Sequence, residues 1–210
     1  MPFDGFPADA FAFYRELEAH NEKPWWEANR PRYEGAVKAP FEALAEELEP
    51  VANRVKLYRP YRDVRFSHDK TPYKTRQGML AQRAEGVGWY VNLDAEGVWL
   101  GGGFFGDAAL TKAYRAAVEA AAPGTALEGI VAELEERGYE IGGEQLKTAP
   151  RGVDRDHPRI ALLRRKWLTA RRHVAPADAA GPELLDALFD TVEDVRPLVA
   201  WGAEHVAPAR

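Results

Sequence analysis

The stretch from Gly86 to Leu100 leaves the backbone few options. Trp89-Tyr90-Val91-Asn92-Leu93 and Val98-Trp99-Leu100 flank Asp94-Ala95-Glu96-Gly97. Aromatic and β-branched residues on both sides of a short Asp/Gly turn predict a β-hairpin. Gly86 and Gly88 mark the preceding turn, so Tyr73 to Gln82 reads as a strand running into it. Upstream, Val55 to Phe66 alternates with period two and predicts a further strand, with Pro60 favouring an edge or bulge position. Together these stretches predict an antiparallel meander of about four strands.

Helical spacing surrounds this block. Phe6, Ala10, Phe13, Tyr14 and Leu17 share one face, with Pro7 suited to a first turn. A second helix starts near Lys23-Pro24 and carries Trp25, Trp26, Arg30 and Tyr33. Adjacent helical residues point about 100° apart, so both rings are not expected in one pocket: one tryptophan is expected in the core, and the other either packs too, as buried tryptophan usually does, or covers the basic stretch between Lys56 and Arg76. Pro31 and Pro40 suit first turns and predict a segmented helical run ending in a Phe41, Leu44, Leu48 stripe. Asp107 is placed to cap a helix bearing Leu110, Tyr114 and Val118. The glycines at 101–103 and 106 precede it without a G-K-[ST] ending or a G-x-G-x-x-G pattern, and strand glycines more often mark close backbone approach than a phosphate cradle. Pro123-Gly124 opens another helix with Leu127, Ile130, Val131 and Leu134 inward and Gly138 as its stop. Short strands are expected at Tyr139-Glu140-Ile141 and Lys166 to Ala170. After Gly181-Pro182, Leu184, Leu188, Val192 and Val195 mark a helical tail that Pro197 kinks or divides. The expected architecture is one α+β domain over residues 1–210, its antiparallel sheet packed by amino-terminal, middle and carboxy-terminal helices.

Charge singles out two segments. Between Lys56 and Arg76, seven bases (Lys56, Arg59, Arg62, Arg65, Lys70, Lys74, Arg76) face two acids, Asp63 and Asp69, in a chain of net charge −5. Between Lys147 and Arg172, nine bases face only Asp154 and Asp156. A base needs water, an acid from another segment, or an anionic ligand, because burying an unpaired charge costs several kcal/mol. In the first segment an anion site and a structural lattice, with Asp63 and Asp69 holding Arg62 and Arg65, are both open. The same segment carries Tyr58, Tyr61, Phe66 and Tyr73, which on a sheet could stack single-stranded bases. Overall acidity opposes nonspecific binding to polyanions.

Other chemistries are poorly supported. The absence of cysteine excludes disulfides, thiolate zinc sites and a cysteine nucleophile, and makes a cytoplasmic location the expectation. Met1 to Gly5 lacks the basic start and apolar run of a signal peptide, and no apolar run approaches the roughly 20 residues that cross a bilayer. The five histidines form no metal-binding spacing, so no metal and no cofactor is expected. Ser67 lies three residues before Lys70, but Pro72 opposes a helix across the pair and no nucleophile elbow surrounds the serine.

The string from Arg62 to Lys74, R-D-V-R-F-S-H-D-K-T-P-Y-K, closely resembles the R-D-x-R-F-S-x-D-K-[TS]-P-Y-K signature of a widespread family of uncharacterised proteins, a domain of unknown function in bacteria and fungi. Trp25 to Arg30, Tyr33, Pro40, Gly101 to Gly103, Leu110 to Arg115, Leu146-Lys147 and Asp156-His157-Pro158 are similar too. The resemblance implies one α+β domain and no established activity. It makes Arg62, Asp63, Arg65, Ser67, Asp69, Lys70, Tyr73 and Lys74 the matching positions; His68 often corresponds to lysine in relatives. The expectation is a small phosphate- or carboxylate-bearing ligand held by Arg62, Arg65, Lys70 and Lys74, oriented by Asp63 and Asp69, with Tyr73 as a hydrogen-bonding partner. Asp156-His157 would approach from the second basic segment, and Asp69 or His157 would be the general base if there is catalysis. The alternative is a non-catalytic module that binds protein or nucleic acid with the same patch.

Overall fold

A computed structural model describes residues 2–63 and 69–208. The fold is α+β, with an antiparallel sheet in the order β1-β2-β3-β4-β6-β5. The strands are β1 (Arg54–Leu57), β2 (Gln77–Ala84), β3 (Val87–Leu93), β4 (Val98–Phe104), β5 (Glu140–Gly142) and β6 (Leu168–Val174). β2 to β4 are the expected meander, and β5 and β6 fall where the short strands are expected, with Ile141 opposite Ala170. β1 is shorter than the alternation predicts. It ends at Leu57, because Pro60 cannot donate to a ladder and the following residues find other partners.

The chain divides into two compact units: Met1–Ala81 with Tyr90–Leu100 and His173–Phe189, and Gln82–Trp89 with Gly101–Arg172 and Asp190–Arg210. The first unit contains α1 (Ala8–Ala19), α2 (Lys23–Tyr33) and α3 (Ala39–Leu48). Its core is aromatic. Phe13 meets Tyr14, Trp25, Trp26 and Tyr33 at centroid distances of 5.3, 5.4, 5.8 and 5.8 Å. α2 and α3 are joined by a π-helical turn, Glu34–Lys38, rather than by a break. Pro31 lies inside α2, not in a first turn as expected, while Pro40 does open α3. Trp26 and Tyr33, with rings 4.9 Å apart, lie on either side of Pro31 and hold the helix across the missing hydrogen bond.

The second unit holds α4 (Ala108–Glu119), α5 (Ala121–Glu136) and α6 (Ile160–Leu163). The Asp107 carboxylate caps α4 by accepting from the amides of Ala109 and Leu110 at 2.9 and 3.1 Å. α7 (Glu183–His205) runs without interruption through Pro197. Its Trp201 donates to the Pro123 carbonyl at 2.9 Å and stacks on Phe104. The glycine run lies within β4, and its role is close packing: a Cβ on Gly103 would sit 2.3 Å from the Leu168 carbonyl oxygen, at a φ of 139°.

Gly103 and Gly129 should therefore respond oppositely to alanine. Gly129 is helical with nothing within 4 Å of a Cβ, so Gly129→Ala should stabilise by about 0.5–1 kcal/mol. Gly103→Ala should destabilise by about 2 kcal/mol or more. Denaturant unfolding of the two variants measures both.

Candidate functional site

Beyond β1 the first unit builds a narrow loop instead of a strand. The Arg62 amide donates to the Pro72 carbonyl at 2.9 Å and the Lys74 amide to the Pro60 carbonyl at 2.8 Å, so Tyr61 and Tyr73 face each other as an isolated antiparallel bridge. The Asn21 side chain grips this bridge from the end of α1. It donates to the Tyr73 carbonyl at 2.9 Å and accepts from the Tyr73 amide at 3.1 Å. Trp26 then lies flat on the Tyr73 ring, with centroids 4.2 Å apart and planes 9° apart.

A buried amide sets the base of the loop. The Gln77 oxygen accepts from the Tyr33 hydroxyl at 2.8 Å, and its nitrogen donates to the carbonyls of Tyr58 and Gly78 at 2.7 and 3.0 Å. Trp25 instead packs on Phe13 and His20. Trp26, 2% exposed, is the core tryptophan and also the one that meets the basic stretch, through Tyr73.

Bases gather around Lys74. The Lys74 ammonium donates to the Arg59 carbonyl at 3.0 Å and lies 5.7 Å from the Tyr58 ring centroid, with the Lys56 ammonium 5.5 Å from the same ring. Partial burial, and after it the charges of Arg59, Arg76, Arg62 and Lys56, pull Lys74 below the ordinary lysine pKa. Arg62 pairs with Asp69, whose other oxygen accepts from the Thr71 amide and hydroxyl at 2.9 and 2.7 Å. These contacts, those of Thr71 foremost, hold the Asp69 carboxyl below its usual range and make it a weaker base. The lattice reading therefore describes Asp69 and Arg62. It does not extend to Lys56, Arg59, Lys74 and Arg76, which have no carboxylate partner among the described residues.

Of the other expected site residues, Asp63 and Lys70 are exposed on the loop, and Tyr73 is 4% exposed as part of the stack. Arg65, Ser67 and His68 lie outside the described residues. Asp156 and His157 belong to the second unit, where the His157 Nδ1 accepts from the Arg159 amide at 3.0 Å and the Asp156 amide donates to Asp154. Asn21 and Gln77 were not expected at the site. A polar residue on the inward face of a strand was the available sign for Gln77; nothing local marks Asn21. Among the described residues no three His, Asp or Glu side chains form a metal-binding group, and no helix is long and apolar enough to cross a membrane.

In the second basic segment, Arg159, Lys166 and Arg171 are paired with carboxylates from outside it. Arg159 donates to Glu128 and Thr125, both at 2.7 Å, and to the carbonyls of Val118 and Ala121. Arg164 donates to the Leu146 carbonyl, while Lys166 pairs with Glu144 and Arg171 with Glu140. Arg159→Met should thus cost about 2–4 kcal/mol, since it leaves Glu128 and two carbonyls without their donor. Arg59→Met should change stability by less than about 0.5 kcal/mol. Chemical denaturation of the two variants measures the contrast.

No curated protein and no solved structure matches the chain. The family model described as "Conserved hypothetical protein (DUF2461)" matches residues 9–201, and so takes in both units. The chain belongs to that family.

Proposed function

We propose that the chain binds a small phosphate- or carboxylate-bearing ligand at the base of the 58–74 loop. The observation that carries this reading is the group of Lys56, Arg59, Lys74 and Arg76, which lacks a carboxylate partner among the described residues. Like charges held near one another raise the free energy of the unliganded protein, and an anion relieves that cost on arrival. Arginine supplies a planar fork for two oxygens and lysine a point charge, so the group suits a multidentate oxyanion. A charge-assisted hydrogen bond contributes about 1.5–3 kcal/mol, and two or three of them support binding after the ligand's ordering cost.

The second unit has a larger cavity, about 730 Å³, whose walls include Lys112, Arg115, Arg151 and Trp167. One of its bases, Lys166, has a carboxylate partner in Glu144, and Arg115 donates to the Leu163 carbonyl at 3.2 Å. The first unit is favoured because there the like charges of Arg59, Arg76, Arg62 and Lys56 act together on the partly buried Lys74.

Calorimetric titration with inorganic phosphate tests the reading. The expected result is saturable binding that weakens as salt rises and about tenfold on Arg59→Met, with unfolding stability unchanged. No heat of binding at low salt from either phosphate or acetate would refute it.

A further inference from the structure

Beside the basic group, the first unit has a recess of about 390 Å³, lined by Trp26, Tyr33, Leu57, Tyr58, Pro60 and Tyr61. Four of these side chains are aromatic. The charged residues on its rim are not equivalent. Arg30 is paired with Glu34 at 3.0 Å and Lys38 with Glu42 at 3.4 Å, which leaves Arg59 as the rim base without a carboxylate among the described residues. Arg59 therefore belongs both to the recess wall and to the basic group.

One further feature points to a flat ligand. Tyr61 is 47% exposed, although its ring lies against Tyr73 at 5.6 Å and Trp26 at 6.2 Å. Its position is fixed by the Tyr61–Tyr73 bridge, so the outward part of the ring is held in place before any ligand arrives. An aliphatic acid would offer this ring nothing to stack on it.

We infer that the ligand of this site is an anion carrying an aromatic or heteroaromatic ring: the ring stacks on Tyr61 in the recess while Arg59 and Lys74 take the charged group. This rests on the anion-binding reading and adds the ring to it. A nucleoside monophosphate and an aromatic carboxylic acid share this chemistry. The recess falls within the size range of pockets that bind such molecules.

Calorimetry at fixed ionic strength with inorganic phosphate, adenosine 5′-monophosphate, acetate and phenylacetate separates the possibilities. The expected result is that at least one ring-bearing anion binds tenfold or more tightly than its ring-free counterpart, and which pair shows the margin identifies the headgroup. Tyr61→Ala should abolish that margin and leave phosphate binding unchanged, and Tyr61→Trp should restore it. If ring-bearing and ring-free anions bind the wild type equally, the inference fails and the anion site stands. If no anion binds, both fail. Binding of a single-stranded oligonucleotide that tightens steadily with its length would also overturn the small-ligand assignment.

Discussion

The contact between Trp26 and Tyr73 is the junction on which the candidate site depends. One ring comes from α2, which is anchored in the aromatic core through Phe13 and Tyr33. The other comes from the arm that returns through residues 72–74, joined to residues 60–62 by two backbone hydrogen bonds among the described residues. Ordering these two arms costs conformational entropy that further contacts must offset. The parallel stack, the two-way Asn21 clamp and the Gln77 amide together supply them. Because each contact uses a ring or a neutral polar group, the loop is positioned with little demand on its bases. Arg62, held by Asp69, and Lys74, bonded to the Arg59 carbonyl, do take part.

Different physical logic governs the two basic segments. In the second unit, arginines act as struts. Arg159 is 13% exposed and joins α5, the end of α4 and the turn before α6 through five donor contacts. Four of those contacts come from the guanidinium, one of them to a carboxylate, which is the condition for a largely desolvated charge to be tolerated. In the first unit, Lys74 is partly desolvated but answered by a carbonyl and a ring face, with four other positive charges contributing to its lowered pKa. That arrangement gains little for the empty protein and is suited to an arriving anion.

Features specified by neighbouring residues were legible in the sequence. The hairpin around Asp94 to Gly97, the Asp107 cap and the two short strands β5 and β6 need only local turn chemistry and alternation. What was missed depends on partners far along the chain. The end of β1 at Leu57 reflects hydrogen bonds to residues beyond 70, the Pro60 carbonyl accepting from Lys74 and the Arg62 amide donating to Pro72, and Gln77 is tied to Tyr33, 44 positions away. Charge counting located both basic segments but could not separate them. The acids that compensate the second one, Glu128, Glu140 and Glu144, lie outside its boundaries. Periodicity likewise could not assign Trp25 and Trp26, since the choice depends on Tyr73 arriving from the loop.

Among the described residues the first basic group has no carboxylate at Lys56, Arg59, Lys74 or Arg76, and the ionisation of Lys74 reports on this. An NMR titration of the Lys74 side chain should show a pKa below that of an ordinary lysine in the free protein, because burial and like charges disfavour the protonated form. Saturating phosphate should raise it, because a bound anion favours that form. An ordinary lysine value in the free protein, unmoved by phosphate, would contradict the account.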